Sequence, residues 1–464
     1  MKKSTGLIFV VAVALAAFVY FYDLKHTPPS DTAVTDTSKP AFSVNADDIA
    51  GLTLERAGMT VVFERRKDDW YITQPIAVRA DQSRLAGITS QIASLQTTRT
   101  FPATPEQLSS FGLDHPGITL SFTMKNGTKH KLRLGGKDFS GSSIYVLVDD
   151  DMKNASLIPD TLLTTSDKSL EDLRDRSVLA IAAFDAGSFD LTNEGGEIAA
   201  MKKDEVWNIE KPRATAADTN AVTSLLQAVN SAQITHFVAD KVGDKAGGKA
   251  GEQASNLAKY GLATPAIRFR ATLPNGQSAE LQIGRKDAGE YFARDPSRPM
   301  IFRVNDVLYK ALDEKFSDLR DKQLVHFSEN DIKQIDVKNQ NGTAQCVKDA
   351  TGQLVIPAAD SKSAAQPCPF TASLEAARAQ EVYDTPPAAI ASKLAKPAVH
   401  VTLTNMDGKK MEIDVSALSG DSVYARSSAG PEVYKLDKQV FDDLNAKTAT
   451  EATANAPAPA NAHP

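Results

Sequence analysis

Cys346 and Cys368 are the only two thiols in the 464 residues of the chain, and they are the one pair whose chemistry would be covalent. Two cysteines are too few for a disulfide framework or a cysteine-rich metal site. In an oxidising compartment they can pair, and the loop they would close is worth about 3 kcal/mol on a chain-entropy argument. Otherwise they stand as two small buried hydrophobes. The seven histidines are scattered and make no HxH or HExxH pair. No G-x-S-x-G occurs, although a triad assembled from distant residues leaves no local trace.

Three further patterns come close to a chemistry and stop short. Gly243 to Ala250 reads GDKAGGKA, which fits G-x-x-x-x-G-K. A phosphate loop then needs a Ser or Thr hydroxyl for magnesium and a buried strand before it; Ala250 supplies neither oxygen nor context. Asp149-Asp150-Asp151 lacks the alternating spacing of a calcium loop and reads as a solvated turn. Asn126-Gly127-Thr128, Asn154-Ala155-Ser156 and Asn341-Gly342-Thr343 match the glycosylation sequon, but Asn-Gly is also the tight-turn pair of a hairpin. The sequence therefore nominates no catalytic, cofactor-binding or metal-ligating residue and reads as non-enzymatic. Trp70 and Trp207, the only tryptophans, could stack a ligand, with the loops around Tyr145 and Tyr291 as further contacts. Each tryptophan sits in mid-strand at an equivalent place, which makes it the anchor of a core instead.

Charge excludes a further class. Lys and Arg number 52 against 58 Asp and Glu, a net −6. Nucleic acid and anionic lipid favour basic faces, so neither is expected as a partner of the body.

The amino terminus sets the compartment. Lys2 and Lys3 precede Gly6 to Tyr22, a run without a charge, closed by Tyr20, Phe21 and Tyr22. Its length is at the short end for a spanning helix and its aromatic end suits a membrane interface. Residues 1–5 are then a cytoplasmic start, 6–22 a transmembrane anchor, and the body is exported. The alternative is a signal peptide cleaved after Ala14-Leu15-Ala16. Residues 23–41, rich in Thr, Pro, Ser and Asp, read as a flexible tether, and the Ala/Pro/Thr-rich 446–464 as a disordered tail.

Between them the chain repeats itself. DDWYITQPIAVRAD, around Trp70, matches DEVWNIEKPRATAAD, around Trp207. Phe111-Gly112-Leu113 with Pro116 matches Tyr260-Gly261-Leu262 with Pro265. LRLGGKD from Leu132 matches LQIGRKD from Leu281, and Asp172-Leu173-Arg174-Asp175 matches Asp318-Leu319-Arg320-Asp321. A Gly/Lys insertion, Lys241 to Glu252, accounts for the drift in offset. The repeats define module 1 at 42–177, module 2 at 178–325, and a degenerate module 3 at 326–445, which lacks the tryptophan, the LGG-type motif and the DLRD motif.

Within a module, short β-favouring runs such as Val61–Phe63 and Trp70–Ile72 form a meander. Asp81 and Asp218 stand as N-caps before apolar residues at helical spacing, Leu85, Ile88, Ile92 and Leu95 in one copy and Val222, Leu225, Leu226 and Val229 in the other. Hairpins turn at Asn126-Gly127, Asn275-Gly276 and Asp407-Gly408. A strand at Ile144 to Val148 and a short helix near Asp160 to Thr165 complete the unit. The expected fold class is α+β: tandem modules of antiparallel sheet with one or two helices each, after a single N-terminal transmembrane helix.

With Trp-x-Ile-x-x-Pro, Ala-Asp, Phe/Tyr-Gly-Leu-x-x-Pro, Leu-x-Leu/Ile-Gly and Asp-Leu-Arg-Asp in this order, the chain resembles the bacterial domain of unknown function 4340 from about Phe42 to Val337, with a weaker echo to Asn445. The resemblance implies a membrane-anchored extracytoplasmic repeat protein, in some cases beside ABC-type export or gliding-motility-like systems; it brings no catalytic residues. The expectation is a scaffold or interaction protein in the periplasm, single-pass in the bacterial inner membrane, with protein partners in the envelope and no cofactor. The alternative is an extracytoplasmic binding module for a small ligand or cell-wall glycan.

Overall fold

The computed structural model describes residues 38–240, 257–358 and 364–446. The apolar run at 6–22, the tether up to residue 37, the 241–252 insertion with its G-x-x-x-x-G-K match, and the tail from 447 lie outside the described residues. Among the described residues no helix is long and apolar enough to cross a membrane. The chain divides after Arg176 into two compact units.

The first unit holds one nine-stranded antiparallel sheet. Its strands are β1 (Ile49–Arg56), β2 (Met59–Arg66), β3 (Asp69–Gln74), β4 (Val78–Arg79), β5 (Arg99–Pro102), β6 (Ile118–Met124), β7 (Lys129–Lys137), β8 (Ser143–Val148) and β9 (Asn154–Pro159). Their order is β4-β3-β2-β1-β6-β7-β8-β9-β5. Two four-stranded meanders thus meet at β1 and β6, where Leu52 stands opposite Phe122 and Leu54 opposite Leu120. Helix α1 (Gln82–Ala93) leaves one edge of the sheet and β5 returns the chain to the other.

Strand alternation explains which face is covered. Leu52, Leu54, Val61, Phe63, Trp70 and Ile72 share one core with Leu85, Ile88 and Ile92 of α1. Side chains two apart point to the same face of a strand, and those three or four apart share a helix stripe. Leu108 and Leu113, which precede β6, form a smaller cluster with Leu147 and Ala155 of the second meander.

The second unit contains two more sheets of nine. One comprises β10 (Ser188–Asn193), β11 (Gly196–Lys203), β12 (Val206–Lys211), β13 (Thr215–Ala216), β14 (His236–Ala239), β15 (Ile267–Thr272), β16 (Ser278–Asp287), β17 (Glu290–Arg294) and β18 (Ile301–Val304), with helix α2 (Thr219–Ser231). The other comprises β19 (Ile332–Asn339), β20 (Gly342–Lys348), β21 (Leu354–Ile356), β22 (Gln366–Pro367), β23 (Glu381–Tyr383), β24 (Val399–Asn405), β25 (Lys410–Val415), β26 (Ser422–Ser427) and β27 (Val433–Asp437), with the short helix α3 (Thr371–Glu375). Their orders, β13-β12-β11-β10-β15-β16-β17-β18-β14 and β22-β21-β20-β19-β24-β25-β26-β27-β23, repeat the first. The architecture is mostly antiparallel sheet with few helices.

Module 3 is degenerate in its motifs but complete in its sheet, because strand order follows the apolar alternation of residues such as Ile335, Val337, Val401 and Leu403, which it keeps. The strands β5 and β9 add to the expected unit: β5 is a short edge strand ending in a proline, and β9 begins at the sequon Asn154. The tether ends before residue 41, since Lys39–Pro40 pair with Gln96–Thr97 and the Ala41 amide donates to the Leu95 carbonyl at 2.8 Å. Two-residue pairings carry no apolar period by which to read them.

Candidate functional site

The two tryptophans lie inside the cores of their modules, Trp70 3% and Trp207 4% exposed. They present no face to solvent on which a ligand could stack. Gln82 clamps Trp70 from the start of α1: its side chain accepts from the Trp70 amide at 2.7 Å and donates to the Trp70 carbonyl at 2.9 Å. Tyr145 stacks on Phe111 with ring centres 4.0 Å apart, and Tyr291 stacks on Tyr309 at the same separation. Both tyrosines are thereby half-buried packing residues.

Asp81 caps α1 by accepting from the Arg84 amide at 3.0 Å; Asp218 caps α2 by accepting from the Asn220 and Ala221 amides at 3.0 and 3.2 Å. Both caps touch the DLRD motif of their own module. The Asp81 amide donates to the Leu173 carbonyl at 2.9 Å and the Asp175 amide to the Arg79 carbonyl at 3.0 Å. In module 2 the Asp218 amide donates to Leu319 at 2.8 Å and the Asp321 amide to Ala216 at 2.9 Å. The leucines are buried, and the first aspartates close a turn by accepting from the amides of Ser169 and Lys315. A second pair of motifs also meets. The Gly136 amide donates to the Phe111 carbonyl at 2.8 Å, and the Arg285 amide to the Tyr260 carbonyl at 3.0 Å. The repeated motifs therefore hold the meanders and the helix of each module together.

The arginine of the second DLRD motif has a further task. Arg320, 4% exposed, donates to Asp384 of module 3 at 2.8 Å. Arg213 also reaches Asp384, and Glu432 at 3.1 Å. From module 3, Arg378 pairs with Asp218. This seam joins modules 2 and 3 with buried or half-buried charges of both signs. Burial works against the ionised Asp218 carboxylate, but Arg378 and the helix amides outweigh it and hold its pKa below the usual value. Burial pushes the neighbouring Tyr434 hydroxyl up, with Glu432 adding to it.

Other charged side chains are paired locally. Asp149 meets His130 at 2.9 Å, and Asp150 meets Lys131 and Arg133 at 3.1 and 2.6 Å. Asp149 and Asp150 occupy left-handed turn conformations, φ 51° and 54°. The run Asp149 to Asp151 is thus a hydrogen-bonded turn, in which Asp150 meets two strand cations and Asp151 accepts from the Lys153 amide and the Asn154 side chain. Among the described residues no group of three or more His, Cys, Asp or Glu side chains is close enough to hold a metal ion. Cys346 and Cys368 are joined by a disulfide in module 3.

One groove carries exposed apolar side chains beside polar ones. Between the turn that leads into β10 and the Asn275-Gly276 hairpin lies an open groove of about 830 Å³, lined among others by Phe184, Met201 and Pro274. Phe184 is 51% and Met201 45% exposed. Its lining carries Asp185, Asp204 and Glu205 against Lys202, and Glu205 is paired with Lys202. A smaller, more polar groove of about 430 Å³ occupies the corresponding place in module 1, between Asn45 and the Asn126 turn.

Sequence reasoning missed the seam residues Arg213, Arg320, Arg378, Asp384 and Glu432. DLRD was visible as a repeat, but its arginine's partner belongs to the following module and shares no motif with it. It also missed Phe184, which looks like any core aromatic until the strand beside it is placed.

No curated protein matches the chain. The family model for the domain of unknown function DUF4340 matches residues 70–250 and 207–391, starting each time at a tryptophan and passing into the following module. Those two overlapping matches cover more than half of the chain, and the protein is a member of the DUF4340 family.

Proposed function

We propose that the protein is a non-enzymatic scaffold of the bacterial envelope, anchored in the inner membrane by residues 6–22 and working in the periplasm by contact with other proteins. The observation that carries this reading is the use made of the repeated motifs. Ala-Asp, DLRD, Phe/Tyr-Gly-Leu and the LGG-type strand end meet one another within a module, and Asp218 and Arg320 also reach module 3, so that the repeated polar groups hold modules together. Burial of both tryptophans removes the stacking surface on which the small-ligand or glycan alternative rested.

Such a scaffold needs a contact surface, and the module 2 groove supplies one. Phe184, Met201 and Pro274 offer an apolar floor, and Asp185 and Asp204 an acidic rim. Its complement is a partner segment with an aliphatic or aromatic side chain flanked by Lys or Arg. An auxiliary role beside an ABC-type export complex is one setting in which such a contact would serve.

The test is a photo-crosslinking amino acid in place of Met201 in the full chain, in intact cells, with the crosslinked segment sequenced by mass spectrometry. The expected product is an envelope protein joined through a basic-apolar segment. A well-folded, membrane-localised variant that gives no product, or only products through acidic segments, would contradict the reading. Protease added to spheroplasts should degrade the body; protection until lysis would place it on the wrong side of the membrane.

A further inference from the structure

The three modules can be superposed residue by residue through their hydrogen bonds. The Ala80 amide donates to the Trp70 carbonyl at 3.0 Å, the Ala217 amide to Trp207 at 3.0 Å, and the Cys368 amide to Leu354 at 2.9 Å. Leu354 therefore stands where the other modules have tryptophan, and Cys368 where they have alanine. The strand registers fix a third position. Trp70 is opposite Arg65, Trp207 opposite Lys202, and Leu354 opposite Lys348. Two residues earlier come Phe63, Ala200 and Cys346. These face Leu52, Phe189 and Ile335 across the next strand pair. The set is Phe63, Trp70 and Ala80 in module 1; Ala200, Trp207 and Ala217 in module 2; Cys346, Leu354 and Cys368 in module 3.

We infer that the Cys346–Cys368 disulfide of module 3 takes the place of the tryptophan of modules 1 and 2, making the packing of this module alone depend on oxidation. In modules 1 and 2 the indole shares one core with the residue of the second strand and the alanine of the segment that enters the helix, Phe63 and Ala80 or Ala200 and Ala217. In module 3 a covalent bond spans the same two elements, with Cys346 wholly buried in the core and Cys368 packed against it. The same segment has also lost its helix cap. Pro369 follows Cys368 where Asp81 follows Ala80 and Asp218 follows Ala217. No side chain caps α3. Phe370, fully buried, stands where Gln82 and Thr219 begin the other helices. Without the disulfide the segment would keep its backbone pairing and Phe370 but neither indole nor cap.

The bond forms by thiol–disulfide exchange with a disulfide-bearing oxidant protein. The two thiols give up two protons and two electrons, and the oxidant's disulfide becomes two thiols. A chain kept in a reducing compartment would carry modules 1 and 2 folded and module 3 loose.

Hydrogen exchange on the full chain tests this, with modules 1 and 2 as internal references. On reduction, with both thiols verified by mass, amides of β20, β21 and α3 should exchange roughly a hundredfold faster, and those of β11, β12 and α2 should not change. C346A/C368A should behave like the reduced protein in either redox state. Adding L354W to it recreates the module 2 set and should restore most of the protection, with F370T as a further change that gives the indole the room it has in module 2. Reduction that leaves module 3 unchanged, or loosens the modules equally, would overturn the redox dependence. If neither tryptophan variant is better protected than C346A/C368A, the disulfide is not a replacement for the indole.

Discussion

Arg320 and Asp384 are 64 residues apart in sequence and 2.8 Å apart at the seam of modules 2 and 3, the arginine almost wholly buried and the aspartate shared with Arg213. A buried guanidinium is costly without a carboxylate, and the cost falls on whichever partner is left behind. Asp384→Ala should therefore destabilise the second unit by about 3 kcal/mol, reduced where the partly exposed aspartate is already screened. Arg320→Met with Asp384→Ala should cost less than the sum of the two single changes. Urea unfolding of the second unit measures both, with Trp207 fluorescence reporting module 2; additive costs would mean the pair is not coupled.

Asp218 and Asp81 are the same residue of the repeat in different company. Each caps a helix, an interaction worth about 1 kcal/mol, but Asp218 also holds Arg378 of module 3. Asp81→Ala should cost about 1 kcal/mol and Asp218→Ala about 2. Asp218 also carries a pH dependence. The folded pKa of Asp218 lies below its ordinary 3.8 because, despite its burial, Arg378 and the helix amides favour the carboxylate. Its contribution is complete above the unfolded value and is lost as pH falls through the lowered folded value. Wild-type urea midpoints should decline as pH falls below about 4, and Asp218→Asn should flatten part of that decline.

The groove on module 2 should matter to partners and not to folding. Phe184 is half exposed and contributes little to the core, so Phe184→Glu should change stability by less than about 0.5 kcal/mol. The same substitution should abolish crosslinking from a probe at Met201, because it places a charge on the apolar floor. Thermal melts and crosslink yield separate the two effects. Loss of yield together with a large fall in melting temperature would return Phe184 to a structural role.

The sequence was most legible where a motif carried its own partner. Trp70 and Trp207, Ala80-Asp81 and Ala217-Asp218, and the two DLRD runs were all visible as repeats, and the hydrogen bonds explain why they travel together: Asp81 meets Leu173, and Asp218 meets Leu319. Module 3 lacks both members of the pair, having Pro369 at the cap position and no DLRD. Its strands were nonetheless marked by apolar alternation, so its sheet is intact although its motifs are gone. What could not be read was anything held between modules. Asp384 and Glu432 are ordinary surface acids until β23 and β27 bring them beside Arg213 and Arg320.

Gly135 and Gly284 give the last expectation, and a reason for the LGG-type motif. Both lie at the end of the second hairpin strand, under the loop that carries Phe111 or Tyr260. A Cβ at Gly135 would come within 2.3 Å of the Phe111 carbonyl oxygen and 3.0 Å of the Leu113 side chain. At Gly284 it would come within 2.3 Å of the Tyr260 oxygen and 2.9 Å of the Gly261 carbonyl carbon. Backbone cannot yield as a flexible side chain can, so the loop would have to lift off the strand and break the adjacent Gly136–Phe111 or Arg285–Tyr260 hydrogen bond. Gly135→Ala and Gly284→Ala should each cost about 3 kcal/mol, by overpacking and by the lost bond. Gly87, inside α1, is the control: a methyl there meets nothing within 4 Å. Alanine is the better helix former, so Gly87→Ala should stabilise the first unit by about 0.5–1 kcal/mol. Melts of the three variants decide it. In module 3 the corresponding residue is Ser416, fully buried, whose hydroxyl bonds the Ala417 carbonyl and the Tyr424 amide. A side chain fits there because module 3 has no Phe/Tyr-Gly-Leu loop to press on it. If Gly135→Ala proves neutral, close approach of that loop is not what excludes a side chain in modules 1 and 2.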